Sequence, residues 1–259
     1  MPRSVPHAAS ALRFALALAA CIALRTPAVA MAQGASPPPH DSPGARIYLT
    51  WRAPYGQPGA SYQLSAACGD TVAKDTLYMC FDPGRGSQSF HGMSATVHFW
   101  AAAGESLGGH WQFGEGQRFG GLQVELNPEN VPAAGRAWPS SGVARAHYSA
   151  TSASGKLQMV VAVPSTQAPA VEAGTLYCFA RVLVPRPARK SPGCDRPICI
   201  EWAVAGLGYG LGDEPEIRRG SRFVGWNSRD GKVCAPLRRP VGAWNPRKRP
   251  PAPGIRPAR

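Results

Sequence analysis

This sequence has few long hydrophobic runs. The longest, Phe14–Leu24, falls well short of the roughly 20 apolar residues that a membrane-spanning helix needs. We therefore predict no transmembrane segment. The periodicity of amphipathic helices is also lacking, and without crossover helices the chain cannot form a parallel doubly wound sheet.

Metal-binding patterns are lacking as well. Cys194 and Cys199 are close in sequence, but no second close cysteine pair and no suitably spaced histidines accompany them, which disfavours zinc. The acids of Asp213–Glu216 do not have the spacing of a calcium loop, so we predict an exposed charged turn there. Three histidines are too scattered to share a metal: His91, His98 and His110. We predict neither a metal nor another cofactor.

Acidic residues are absent from both ends of the chain, and the chain as a whole has a formal net charge of +13. Residues 235–259 hold seven basic residues and many prolines, so we predict a disordered basic tail. Its charge favours contact with an anionic surface. The body of the chain is close to neutral, and an exported protein is not expected to meet nucleic acid.

The N-terminus has the features of an export signal. Arginines precede the apolar run and small residues follow it, which predicts a signal peptide over residues 1–32 and a flexible leader rich in Pro, Gly and Ser over 33–45. Cys21 follows Leu-Ala-Ala and leaves a lipoprotein signal open as the alternative. We predict a secreted or extracytoplasmic protein, in the periplasm or at the cell surface, with a folded domain at 46–234.

Short runs of β-favouring residues fill that domain. The central pair is Thr175–Val184 and Ile198–Val204, joined by a Pro-rich connection, and Gly92–Ala101 and Lys156–Val163 alternate apolar with polar residues. Further predicted strands are Ile47–Arg52, Ser61–Ala67, Thr76–Phe81 and Arg222–Trp226, and the weaker candidates are His110–Phe113, Leu122–Leu126 and His147–Ala150. About nine to eleven short strands separated by turns predict an all-β fold, a two-sheet antiparallel β-sandwich.

Three segments carry a resemblance to a known family. VPSTQAPAVEAGTLYCFARVLV looks like the later half of cohesin-type modules, while IYLTWRAPYGQPGA and TLYMCFDPGRGSQSFHGMSATVHF are similar to their first strands, which some carbohydrate-binding modules share. The resemblance covers about residues 46–227. It implies a jelly-roll or cohesin-like sandwich that acts as a non-catalytic binding module.

Six cysteines follow the predicted signal peptide, and an even number in an exported chain predicts disulfides that support the fold. They are Cys68, Cys80, Cys178, Cys194, Cys199 and Cys234. Cys80 and Cys178 lie inside strand patterns, where cysteines meet most easily across strands or between sheets. We predict a Cys80–Cys178 disulfide and expect the other four to pair near one end of the domain.

Two motifs invite a catalytic or phosphate-binding interpretation. Gly104–Gly108 matches the G-x-S-x-G nucleophile elbow around Ser106, but the residues that follow will not form the helix that an elbow needs. Gly206–Gly212 is glycine-rich but leads into acids that would repel phosphate. We predict a β-turn and a surface loop, respectively, and not an enzyme.

The aromatic residues suggest where a ligand binds. Seven tryptophans exceed the needs of a small core, and the alternation assigns Trp51 and Trp202 to it. Trp100 falls on a polar face, and Trp111 and Trp138 lie in loop-rich sequence. Exposed flat rings suit stacking on sugars or on a protein partner, so we predict a ligand site at these three tryptophans. Packing over loop edges is the alternative.

These patterns predict a secreted, non-catalytic binding or adhesion module that recognises a carbohydrate or a protein at the cell surface. An extracellular hydrolase acting on polysaccharide or ester substrates stays open, because paired catalytic carboxylates lie far apart in sequence. A purely structural surface domain is the third reading.

Overall fold

The computed structural model describes residues 44–66, 68–69, 74–102, 105–113, 121–132, 134–138, 142–186, 192–210, 213–228 and 232–235. The chain divides into two units, Met1–Pro38 and Pro39–Arg259, and every described residue belongs to the second. Within the described ranges, no helix is long and apolar enough to cross a membrane. The predictions for the signal peptide, Cys21 and the tail beyond Ala235 lie outside them.

The described part of the chain contains twelve strands and three short 3-10 helices. The strands are β1 Arg46–Trp51, β2 Gln63–Leu64, β3 Lys74–Asp82, β4 Gly92–Ala101, β5 Gln123–Leu126, β6 Val143–Ala150, β7 Ser154–Ala162, β8 Tyr177–Pro185, β9 Ile198–Gly208, β10 Glu216–Ile217, β11 Gly220–Ser221 and β12 Phe223–Trp226. The 3-10 helices are Gly109–Trp111, Ser165–Gln167 and Lys232–Cys234.

The strands form two sheets that pack against each other, which confirms the predicted β-sandwich. The smaller sheet has the order β11-β1-β3-β8-β5. The larger has the order β2-β12-β9-β4-β7-β6, with β10 beside the far half of β9. Most neighbours are antiparallel, and the two parallel contacts, β1 with β11 and β2 with β12, each join only two residue pairs.

Alternation along the strands builds the core. On β4 the inward residues from Met93 to Phe99 are buried, while Ser94 faces out. The predicted core tryptophans Trp51 and Trp202 are both fully buried. Large aromatic rings remove extensive apolar area from water, which stabilises the contact between the sheets.

Two predicted elements are wrong. His110–Phe113 was expected to be a strand, but the chain there forms the 3-10 helix Gly109–Trp111. The predicted loop Gly206–Gly212 begins inside β9, whose Gly208 pairs with Gly92 of β4. Glycine favours loops because of its conformational freedom, and here the ladder to β4 outweighs that preference.

The four cysteines that were expected to pair with one another form two disulfides, but the third predicted disulfide is absent. Cys68 bonds Cys194, and Cys199 bonds Cys234. Cys80 and Cys178 face each other across β3 and β8 as buried free thiols, so the predicted disulfide between them is wrong for this structure. The ladder shifts register at Cys80, and the Cys178 thiol instead hydrogen-bonds Cys80 and the carbonyl of Ala180, 3.5 Å away. The hydrogen bond to Cys80 and the burial of the thiol raise the pKa of Cys178.

Candidate functional site

Two of the three tryptophans predicted to bind a ligand are buried. Trp111 is 0% exposed and Trp138 is 2% exposed, so the prediction that they lie on the surface is wrong. Trp138 stacks on Phe90 at 5.1 Å between ring centroids, and its indole N–H donates to the carbonyl of Phe90 at 3.1 Å. Trp111 meets Trp226 edge-on at 5.0 Å. Both rings fill the core where loops cover the sheets.

Trp100 is the remaining candidate, and it does lie on an outward face. It is half-buried near the end of β4, in line with His98 and Ser94 on the same side of the strand. The rings of Trp100 and His98 meet edge-to-face with centroids 5.1 Å apart. The indole nitrogen of Trp100 is itself buried, without a hydrogen-bond partner within the described part of the chain, and its neighbour on β9 is the disulfide-bonded Cys199. We call the outward side of β7, β4 and β9, with the flanking β6, β10 and β12, the open face.

A charged row crosses the open face at His98. Register places Lys156 of β7 on one side of His98 and Glu201 of β9 on the other. Glu201 pairs with Arg222 at 2.9 Å, and the guanidinium of Arg222 lies 4.7 Å from the ring centroid of Phe223. Burial lowers the pKa of His98, and Lys156 adds to that effect while Glu201 opposes it.

A second row crosses the open face at Ser94. Its neighbours are Val160 on β7 and Gly206 on β9, and the row continues to Arg145 on β6 and Glu216 on β10. Val160 is 39% exposed, so its apolar side chain stands in solvent. A Cβ on Gly206 would lie 2.8 Å from the Ser94 hydroxyl oxygen, so the glycine leaves room for Ser94 to lie flat on the sheet.

A shallow cleft of about 170 Å³ lies at this end of the open face. Gly92, Gly206 and Gly208 line it together with His91 and the exposed Glu214. The Ser89 hydroxyl lies 2.9 Å from Nε2 of His91, so the rim of the cleft holds a hydrogen-bonded serine–histidine pair.

The motif around Ser106 does not assemble a catalytic pair. Ser106 is exposed, and Arg196 donates to its hydroxyl at 2.7 Å and to its carbonyl at 2.9 Å. His110 points away into the core, where burial lowers its pKa to about 4. Gly104 lies outside the described residues. A β-turn without catalytic function stays the interpretation of this motif.

Of the predicted charged turn Asp213–Glu216, Asp213 and Glu214 are exposed, but the prediction is wrong at Glu216, which begins β10 and is only partly exposed. Asp213 pairs with Arg85, and Glu216 pairs with Arg218 at 2.8 Å. Among the residues that the structure describes, no three His, Cys, Asp or Glu side chains come together as metal ligands would.

The sequence analysis placed Trp100 on a polar face but missed the residues around it. Glu201 could have been found, because it alternates with the inward Ile200 and Trp202. Arg222 and Phe223 lie on the open face only because β12 pairs with β9, and no local sequence pattern predicts that pairing.

Comparison with known proteins adds no relative. No protein-family model and no curated protein matches this chain. The resemblance to cohesin-type and carbohydrate-binding modules therefore stays an expectation from the sequence. The structure shows a β-sandwich and nothing specific to either family.

Proposed function

We propose that this chain is an exported, non-catalytic binding or adhesion module that recognises a partner at the cell surface through the open face. The observation that carries the proposal is Trp100, a half-buried aromatic ring on the outward side of β4, next to the row that runs from Lys156 through His98 to Glu201. Tryptophan and arginine are among the residues most enriched at binding hot spots. The two disulfides support export, because disulfides persist in oxidising compartments.

A protein partner fits the open face better than a glycan does. The face carries both signs of charge, from Lys156 to Glu201, around the apolar Val160 and the aromatic Trp100 and Phe223. Protein interfaces combine such an aromatic and apolar centre with a polar rim. A sugar ring would use mainly the stacking surface of Trp100, so a glycan is the competing outcome of the test.

The test compares Trp100→Ala with Tyr55→Ala. Tyr55 is also a partly exposed aromatic, 36% exposed, but it stacks on Tyr48 of the smaller sheet. Binding of the purified full chain is measured against a glycan array and against immobilised surface proteins of the producing cell. We expect Trp100→Ala to weaken binding by about 30-fold, as hot-spot truncations do, and Tyr55→Ala to leave it unchanged. Equal affinities for both variants would rule out the open face.

A second candidate function, an ester hydrolase, rests on Ser89 and His91. Their separation of 2.9 Å is within reach of a nucleophile and its general base, and the cleft beside them is open to solvent. Turnover of p-nitrophenyl acetate or of an acetylated polysaccharide that Ser89→Ala abolishes and Trp100→Ala preserves would establish it. Without such turnover, the binding module is the better reading.

A further inference from the structure

The open face is symmetric about its central strand. In the larger sheet β4 has β7 and then β6 on one side, and β9 followed by β10 or β12 on the other. Five strand positions thus lie across the face with β4 in the middle. At the usual spacing of strands, the outer two positions are about 19 Å apart.

The charges on these positions are opposite in sign at equal distances from β4. In the row through Ser94, Arg145 lies two strands away on one side and Glu216 two strands away on the other. In the row through His98, Lys156 lies one strand away and Glu201 one strand away on the opposite side. Glu201 is 13% exposed and also pairs with Arg222 of its own chain, so Arg145 and Glu216 are the main charged pair.

The shape is complementary in the same way. One strand from β4, on the basic side, Val160 rises from the sheet and is 39% exposed. One strand from β4 on the acidic side, in the same row, is Gly206, which has no side chain and lines the cleft. A protruding side chain and a depression therefore lie at mirror positions about β4.

We propose that the open face binds a second copy of this chain, related to the first by a two-fold axis that runs along β4 between the two faces. This inference rests on the proposed function and names its partner, so that adhesion is between like chains. The rotation places Arg145 opposite Glu216 of the second copy and Lys156 opposite its Glu201. It also places Val160 opposite the second copy's Gly206, and it does all of this twice, as an isologous interface requires.

The direction of the axis follows from the charges. A two-fold axis perpendicular to the strands would bring Arg145 to Arg145 and Glu216 to Glu216, and like charges in contact are unfavourable. With the axis along β4, both charged contacts, Arg145 with Glu216 and Lys156 with Glu201, join opposite signs. Sheets packed face to face keep their strands within about 30° of each other, which this arrangement satisfies.

The axis also accounts for Trp100. A residue of β4 lies on the axis and meets its own copy, so the two Trp100 rings face each other at one end of the interface. An aromatic pair there would contribute beyond the area it buries. Trp100 is partly exposed and Val160 is exposed in a single protomer, and a second copy bound to the open face would cover both.

The decisive experiment exchanges charges between copies. Arg145→Glu and Glu216→Arg are made separately in the full chain, and self-association is measured by sedimentation velocity over a concentration series. Both side chains are at least partly exposed, so the variants should fold, and circular dichroism checks this. Each variant alone should dimerise about tenfold more weakly than the parent chain, because two attractive contacts become repulsive.

An equimolar mixture of the two variants should recover the parent affinity. In the mixed dimer the new carboxylate at position 145 of one chain faces the new guanidinium at position 216 of the other. At the symmetric contact the unchanged Arg145 and Glu216 face each other, so both contacts are attractive again. The matched control is Arg136→Glu, the same charge change at a loop arginine that pairs with Glu129 and lies off the open face. It should leave dimerisation unchanged, and added salt should weaken the parent dimer.

Either of two results would overturn the inference: a parent chain that stays monomeric at millimolar concentration, or single variants whose mixture does not recover association. The proposed function is judged separately. A monomeric chain that binds an external partner through Trp100 would support the proposed function and contradict this inference. Recovery of association in the mixture, with no binding to any external ligand, would support self-association only.

Discussion

The outer faces of the two sheets differ in what lies on them. On the smaller sheet, Tyr48 of β1 and the thiols Cys80 and Cys178 form a small buried cluster, and Val131 from a loop packs over it. Tyr55 stacks on Tyr48 with ring centroids 4.0 Å apart. On the larger sheet, the 3-10 helix Lys232–Cys234 is joined to the outward side of β9 at Cys199, beside Trp100. Away from that end, Ser94 of β4 and Val160 of β7 are exposed. The outer face of the smaller sheet thus contributes buried contacts to the fold, whereas much of the open face is exposed.

This difference predicts that substitutions in the smaller sheet cost folding stability, whereas substitutions on the open face cost binding. The largest effect is expected for Asp75→Ala on β3. Asp75 forms a two-point ion pair with Arg186, and their side chains are only 7% and 9% exposed. Removing the carboxylate breaks both contacts of a buried ion pair, which costs about 3–5 kcal/mol of unfolding free energy.

Urea denaturation measures the loss. The control is Glu125→Ala on β5 of the same sheet, which breaks an exposed pair with Arg181 and should cost less than about 1 kcal/mol. Equal losses for both variants would mean that burial does not set the strength of these pairs.

The next largest effect is expected on the pH dependence of folding stability, to which His110 should contribute and His98 should not. Burial lowers the pKa of His110 from 6.5 to about 4, so the unfolded chain takes up a proton at a higher pH than the folded one does. The stability that His110 contributes is complete above pH 6.5 and is lost as the pH falls from there towards 4. At about 1.36 kcal/mol per pH unit, the loss is about 3 kcal/mol.

Denaturation midpoints at a series of pH values test this. His110→Phe should flatten the profile between pH 6.5 and 4. His98→Gln on the open face should change it little, since His98 is only half-buried. If His98→Gln flattened the profile as much as His110→Phe did, the open face would be less accessible than its geometry indicates.

A smaller loss is expected for Tyr48→Ala. The ring of Tyr48 is 9% exposed and covers the thiol cluster, so its removal uncovers apolar area and should cost about 2 kcal/mol. Its removal should also speed the reaction of Cys80 and Cys178 with a thiol reagent such as DTNB. Unchanged thiol reactivity would show that Val131 and its loop protect the cluster without Tyr48.

The smallest effect on stability is expected for Trp100→Ala. Because Trp100 is only half-buried and lies outside the core cluster, the free energy of unfolding should change by less than about 1 kcal/mol while binding weakens. A loss as large as that of Tyr48→Ala would make Trp100 a structural residue and remove the contrast between the faces.

Local patterns predicted much of this fold. The strand Gly92–Ala101 was expected with the bounds that the structure has, because its apolar and polar residues alternate without interruption. Trp51 and Trp202 were assigned to the core by the same alternation. In each case neighbouring residues alone carry the information.

The errors arise where distant segments meet. Trp111 and Trp138 lie in irregular sequence, and only the closure of loops over the sandwich buries them. The rows of the open face depend on the register of strands far apart in the chain, so the opposition of Arg145 and Glu216 has no local signature. The thiol pair shows the same limit, since the two cysteines were expected to meet and do, but without the bond.

The two disulfides also determine how this domain would bear a mechanical load. A pull between Arg46 and the chain beyond Cys234 would pass from Cys68 to Cys194, along the backbone to Cys199, and across to Cys234. Residues 69–193 and 200–233 would lie in closed covalent loops off that path, and they include β3 to β8 and β10 to β12. The chain could then extend by at most roughly 100 Å before a disulfide broke. Most of both sheets would stay folded under tension that would unravel the same chain without its disulfides.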